Sequence, residues 1–188
     1  SYSYNANGQL ASSTDAKGGT TSFTYDKNGN QASVTDAEGN TTSYTYDKLD
    51  RLTQLKDGRG NVTKYTYDNE GSQTSDTNGE GEKQSIVYDA LGRMTALTDR
   101  NGHTWSYVYD ADGRMTAAKD PLGSTTGYTY DENGNLTAQT SPMCFVVSAV
   151  YDAMDRQTGE TDTLGYTTQY SYDALGRLIG VTQKDDTT

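Results

Sequence analysis

The chain has 188 residues, a formal net charge of −11 and a pI near 4.4, so it offers no basic surface to the phosphates of nucleic acid or to an anionic membrane. No run of eighteen apolar residues supplies a membrane-spanning helix, and a single cysteine, Cys144, excludes an intrachain disulfide framework. Leu, Ile, Val and Phe together number only 23, a composition that with this charge ordinarily indicates disorder, but 16 Tyr and abundant Thr favour strands instead.

From the N-terminus, one Tyr recurs every 21 residues without insertion: Tyr4, Tyr25, Tyr46, Tyr67, Tyr88, Tyr109, Tyr130, Tyr151 and Tyr172. After Asn5 in the first copy, each is followed by Asp: Asp26, Asp47, Asp68, Asp89, Asp110, Asp131, Asp152 and Asp173. So strict a period marks a repeat architecture. Positions are counted here from the recurring Tyr. The residues before it alternate, as in Thr21, Phe23 and Tyr25, Thr42, Tyr44 and Tyr46, or Trp105, Tyr107 and Tyr109. That predicts a strand with one aromatic and one polar face.

A turn follows. Gly stands at +4 as Gly8, Gly29, Gly71, Gly92, Gly113, Gly134 and Gly176, with Asp50 and Asp155 in the other two copies. Asp three residues before Gly fits a type I turn, its carboxylate bonding the backbone two residues on. The Gly takes positive φ and closes the loop with a bulge, and Asp tolerates that region better than most residues. The next strand carries Leu or Met at +6, as Leu10, Leu52, Met94, Met115, Leu136 and Leu178, and often a second apolar residue at +9, as Val34, Leu55, Leu97 and Val181. Six and nine differ in parity, so a β-bulge is needed to place both on one face. A second Gly at +14, from Gly18 to Gly165, marks a second turn. The segments between turns suit strands and are too short for helices. The expectation is an all-β, continuous antiparallel β-meander of 21-residue hairpin repeats, about seventeen strands in one array over 1–188, with successive Tyr rings stacking into ladders.

The Arg residues at +5 (Arg51, Arg93, Arg114, Arg156 and Arg177) read as rim charges pairing with turn Asp, contacts of little worth when exposed. Near the C-terminus, Ser141-Pro142-Met143-Cys144-Phe145-Val146-Val147-Ser148-Ala149-Val150 replaces the usual turn and strand sequence while keeping the period. It reads as a diverged repeat whose apolar residues join the inner face, and Cys144 as a small apolar strand residue. The alternative is a contact site for cargo or a neighbouring wall.

The Asp-rich turns Asp26-Lys27-Asn28-Gly29-Asn30 and Asp110-Ala111-Asp112-Gly113 lack the spacing and distal Glu of a calcium loop, and no metal or other cofactor is expected. No feature singles out a catalytic pair, so the chain reads as a non-enzyme. Asn40, Asn61 and Asn135 lie in glycosylation sequons, which an Asn- and Thr-rich repeat produces by chance.

Tyr172-Asp173-Ala174-Leu175-Gly176-Arg177-Leu178, with Asp120-Pro121-Leu122-Gly123 and Thr41-Thr42-Ser43-Tyr44-Thr45-Tyr46, resembles the RHS/YD-repeat family of bacterial polymorphic toxins, wall-associated proteins, toxin-complex C components and teneurin-like shells. The resemblance covers essentially the whole chain. It implies part of a spiral β-shell, cut from a longer repeat region, that encloses or scaffolds a C-terminal toxin or effector in a secreted or cell-surface protein. Asp120-Pro121-Leu122-Gly123 looks like part of the family's self-cleavage motif but stands at a turn phase and reads as a turn. Partners implied are toxin or effector cargo, neighbouring repeats, and other copies added at open sheet edges. A cell-surface adhesion or glycan-binding module is the alternative, because Tyr rows form sugar platforms.

Overall fold

The computed structural model describes residues 1–185; the last three residues of the array read from the sequence lie outside the described residues. Eighteen strands and no helix occur among the described residues. In order they are β1 (Tyr2–Tyr4), β2 (Leu10–Thr14), β3 (Thr20–Tyr25), β4 (Gln31–Thr35), β5 (Thr41–Tyr46), β6 (Leu52–Lys56), β7 (Val62–Tyr67), β8 (Gln73–Thr77) and β9 (Lys83–Tyr88). The chain continues through β10 (Met94–Thr98), β11 (Thr104–Tyr109), β12 (Met115–Lys119), β13 (Thr125–Tyr130), β14 (Leu136–Thr140), β15 (Val146–Tyr151), β16 (Gln157–Thr161), β17 (Tyr166–Tyr172) and β18 (Leu178–Asp185). It forms two compact units, Ser1–Gly92 with Leu97–Gly102, and Arg93–Ala96 with His103–Thr188.

The first unit is an antiparallel meander in which each strand from β1 to β8 pairs with the next. The second unit repeats the pattern from β11 to β18. Every connection between these strands is short and hydrogen-bonded, so sequence neighbours are spatial neighbours.

Parity is resolved as the +6 and +9 residues require. Tyr46 faces Leu52 and Tyr44 faces Leu55, while Thr45 faces Gln54, so Thr53 is the extra residue of a bulge. The same slip follows Tyr4, Tyr25, Tyr67, Tyr109, Tyr130, Tyr151 and Tyr172. One inserted residue per repeat returns +9 to the face of +6; Leu52 and Leu55 thus both lie opposite Tyr, whereas Glu160 at +9 faces Ala149. The second turn of each repeat carries no slip, as in Leu55 facing Thr63.

This register also changes the expected ladders. Successive recurring Tyr residues lie two strands apart, with a +6 and +9 strand between them, so the cross-strand partner of Tyr46 is Leu52. Among the described residues the only ring pair in contact is His103 with Trp105, centroids 6.5 Å apart. The recurring Tyr rings are therefore not stacked on one another. No hydrophobic side chain is fully buried among the described residues; the most buried polar ones are Ser75 at 3% and Asp76 at 7% exposure. Stability without a sealed core comes from cross-strand pairs, about 0.2–1 kcal/mol each, summed along the array.

The segment 141–150 differs from its sequence reading. Ser141 takes the place of the turn Asp: its N–H donates to the Phe145 carbonyl at 2.8 Å, its Oγ accepts from Phe145 N–H at 3.1 Å, and its carbonyl accepts from Cys144 N–H at 2.9 Å. The turn is retained. Cys144 is not a strand residue but stands at the +14 Gly position with φ 61°, exposed. Met143 and Phe145 beside it are exposed, as are Val147 and Val150, so most of the bulky apolar residues here do not join a packed face.

Candidate functional site

The structural unit that repeats with chemical detail is the junction between one 21-residue copy and the next. Its first part is the turn. Asp47 Oδ1 accepts the N–H groups of Leu49 at 2.8 Å and Arg51 at 3.1 Å, while Asp50 N–H donates to the Asp47 carbonyl at 3.2 Å. Asp26, Asp110, Asp152 and Asp173 hold their turns with the same Oδ1 bonds to the +3 and +5 amides. Asp131 and Asp68 accept the +5 amides of Asn135 and Ser72, and Asp89 accepts the Leu91 amide at 2.9 Å. Gly29, Gly71, Gly92, Gly113, Gly134 and Gly176 all have φ between 77° and 96°, where a side chain is strained. Asp120 closes its turn in the same way through Leu122 and Gly123.

The second part is the Tyr hydroxyl. Tyr25, Tyr46, Tyr67, Tyr88, Tyr109, Tyr130, Tyr151 and Tyr172 each donate to the carbonyl of the +6 residue in the preceding copy. The distances run from 2.7 Å for Tyr67 to 3.2 Å for Tyr88. That carbonyl precedes the bulge, where ladder pairing is interrupted and an acceptor needs another donor. Phe would fill the same space without supplying one. Burial of Tyr46 and Tyr67 holds their hydroxyls above the ordinary value of 10.

The third part, at +5, is not the exposed rim pair that the sequence suggests. Arg51 Nε donates to Asp47 Oδ2 at 2.7 Å, its Nη1 donates to the Asp68 carbonyl of the next copy at 2.9 Å, and its guanidinium lies 4.8 Å over the Tyr67 ring. Arg93, Arg114 and Arg156 lie likewise over Tyr109, Tyr130 and Tyr172. Arg51, Arg114 and Arg156 are 25%, 26% and 28% exposed, but Arg177, in the last copy, is 74% exposed. The next copy is thus what buries the cation. Burial pushes the Asp47 carboxyl up, but the bonds from Arg51 and the turn amides outweigh it and hold the group below 3.8. For Asp152 the Arg156 side-chain bond is the leading cause of the same lowering.

Two junctions carry Asn in place of Arg at +5. Asn28 and Asn30 both donate to Asp50 Oδ1, at 2.8 and 2.6 Å. Asn133 and Asn135 donate to Asp155 Oδ1 at 2.8 and 2.7 Å. Asp50 and Asp155, both at φ 59°, are the two copies without Gly at +4. Their departure from Gly is therefore matched to Asn in the copy before. That pairing was visible in the sequence as two Asn–Asp coincidences at 20-residue separation, but only the cross-repeat geometry gives it meaning. A further contact without a sequence signal is the ion pair of Asp76 with Arg100, on the face where Val34, Leu55 and Leu97 are apolar in other copies. The sequon amides of Asn40, Asn61 and Asn135 donate to Asp36, Asp57 and Asp131 within their own turns.

An all-β chain whose copies are joined by one recurring set of cross-repeat bonds is a structural repeat protein, stabilised between neighbours. The RHS Repeat profile matches residues 4–41, 25–62, 46–83, 88–125, 109–142 and 151–188. The chain belongs to the RHS repeat family. No curated protein matches it. Among solved structures, the fold is similar to the Photorhabdus luminescens Tc holotoxin pore, with TM-score 0.58, 15% identity, and coverage of 98% of this chain and 15% of that one. It is similar to a TcdB2-TccC3-Cdc42 structure with TM-score 0.60 and 16% identity, over 100% of this chain and 13% of that one. A TcdB2-TccC3 structure gives TM-score 0.58 and 17% identity, over 99% and 11%. The chain therefore spans less than a sixth of each of these three structures.

Proposed function

We propose that this chain is a stretch of wall in an RHS-repeat container, secreted or displayed at the cell surface, that holds a toxin or effector segment apart from its surroundings. The observation that carries the reading is the junction itself. The Tyr hydroxyl bond is made at all eight steps from Tyr25 to Tyr172, so each copy offers the same seat to the next. A surface built by one repeated step extends without redesign, which suits an enclosure more than a single catalytic cleft. The fold similarity to parts of toxin-complex structures supports the same reading. In this role the chain acts mechanically and is not an enzyme. Within their units, and among the described residues, β1 pairs only with β2 and β18 only with β17. Those edges are where further repeats, or in isolation a second copy, add.

The test is protease protection in the parent protein. A segment enclosed by the wall is expected to resist cleavage until the repeats are unfolded. Cleavage at the rate of the same segment expressed alone would remove the container role. A second reading, a glycan-binding surface, draws on half-exposed Tyr residues at the same repeat position, Tyr44 and Tyr65 in the first unit and Tyr107 and Tyr128 in the second. Glycan-array binding that is lost on Tyr44→Ala or Tyr65→Ala would favour it, and an empty array would dismiss it.

A further inference from the structure

Seven of the eight junctions are bridged from +5 by the chain itself. Arg51, Arg93, Arg114 and Arg156 lie over the next Tyr, Asn30 and Asn135 bond the next Asp, and Gln9 Nε2 donates to the Gly29 carbonyl at 3.1 Å. The exception is the step from Tyr67 to Tyr88, where +5 is Ser72, too short to cross. An open cleft of about 530 Å³ stands there, lined among others by Asp68, Glu70, Ser72, Tyr88 and Gly92.

The lining matches, position for position, what surrounds a guanidinium elsewhere in the molecule. Asp68 corresponds to Asp47, whose Oδ2 takes Arg51 Nε at 2.7 Å. Glu70 corresponds to Asp112, whose Oδ2 lies 3.0 Å from Arg114 Nη2. Tyr88 corresponds to Tyr67, which Arg51 covers at 4.8 Å. Gly92 corresponds to Gly113, Gly134 and Gly176, where an added Cβ would come 3.7 to 4.0 Å from an Arg Nη1. Two carboxylates, a ring face and a small residue are thus in place: the counterparts of Asp68 pair with Arg51, Arg114 and Arg156, the counterpart of Glu70 pairs with Arg114, and Ser72 supplies no cation here.

We propose that this cleft receives an arginine side chain from another polypeptide segment. The guanidinium lies on the Tyr88 ring and is held by Asp68 and Glu70. A planar fork fits two carboxylates and a ring together, which the compact ammonium of lysine does not. The net charge of −11 draws a cation toward the site. The assignment stands independently of whether the wall encloses a toxin.

The test uses the 1–188 chain with ring-13C tyrosine, titrated by NMR with the peptide Gly-Arg-Gly and its lysine and citrulline counterparts. The Tyr88 ring signals, assigned through Tyr88→Phe, are expected to shift saturably with the arginine peptide. Binding should be about tenfold weaker with lysine, and absent with citrulline, because the charge-assisted fork is lost. Glu70→Gln should weaken binding several-fold. Ser72→Arg supplies the missing side chain in cis, so it should raise Tm by a few degrees and abolish the peptide response. An equal response to citrulline, a response that survives Ser72→Arg, or no saturable shift at Tyr88 would each overturn the assignment. With the flanking parent sequence attached, loss of the peptide response marks an arginine from the same chain, and a retained response marks one from a separate protein.

Discussion

The step from Tyr25 to Tyr46 and the step from Tyr46 to Tyr67 are adjacent, and they meet one geometric demand with different chemistry. In each, the +5 side chain of one copy reaches the turn of the next, whose +4 residue sits at positive φ. In the first step the reaching side chain is short, Asn30, and the receiving residue extends to meet it, Asp50. In the second the reaching side chain is long, Arg51, and it donates to the Asp68 carbonyl in the turn whose +4 residue is Gly71. Asn133, Asn135 and Asp155 repeat the first solution, while Arg114 with Gly134 and Arg156 with Gly176 repeat the second. Residues 20 apart therefore form a single unit of choice. A position that looks variable within one repeat is constrained by the copy before it.

Acid should break both solutions at once, and it is the largest effect expected. Asp26, Asp47, Asp110, Asp131, Asp152 and Asp173 are all held below 3.8 in the fold. A carboxyl lowered by folding contributes fully above its unfolded value and loses that contribution as pH falls through the folded one. Thermal unfolding followed by circular dichroism should show Tm level above about pH 5 and falling steeply below 3.8. The raised hydroxyls of Tyr46 and Tyr67 have the opposite sign: their contribution is complete below 10 and is lost as pH rises beyond it.

Single substitutions separate the two solutions. Asp50→Ala removes the acceptor of two amides and leaves a Cβ at φ 59°, so a loss of about 2 kcal/mol is expected in urea unfolding. Asp50→Gly should cost less, about 1 kcal/mol, because the backbone strain is relieved as the bonds are lost. Arg51→Ala should cost about 1–2 kcal/mol through its carbonyl bond and ring contact, and Arg51→Lys about 1 kcal/mol. High salt should diminish the Arg51→Ala loss more than the Asn30→Ala loss. The exchange Asn30→Arg with Asp50→Gly converts the first junction into the second. If the two positions act as a pair, the double variant should depart from the sum of the singles by about 0.5–3 kcal/mol. Strict additivity would show that the neighbouring positions are independent.

Tyr46→Phe and Tyr67→Phe give the smallest effect and sharpen the comparison, since the hydroxyl bond is common to both junctions. Each should lose about 1 kcal/mol, and by similar amounts, when measured side by side. A large difference would mean that the +5 chemistry also sets the strength of the bond below it.

The strands, both turns and the bulge were legible because each leaves a local mark: Tyr44 and Tyr46 alternate, Asp26 precedes Gly29 by three, and Leu52 and Leu55 conflict in parity. The junction was not. Arg51 read as a rim charge because its second and third partners, the Asp68 carbonyl and the Tyr67 ring, belong to another copy. Cys144 read as a strand residue because Ser141 hid the turn that places it at φ 61°. The Tyr hydroxyl acceptor is a backbone atom, which no side-chain pattern reports. What composition and spacing encode is the hairpin; what joins hairpins depends on backbone groups and on pairs of positions in different copies.

The cross-repeat bonds span 15 residues for Tyr25 with Leu10, 17 for Arg51 with Asp68, and 22 for Asn28 with Asp50. Each Tyr reaches upstream, to a partner synthesised before it. A nascent chain emerging from the ribosome thus completes every step within about two dozen residues, and need not wait for its far end. Contacts so local favour rapid ordering even in an all-β protein. Consolidation then proceeds with a direction, each finished hairpin serving as the template on which the following one closes.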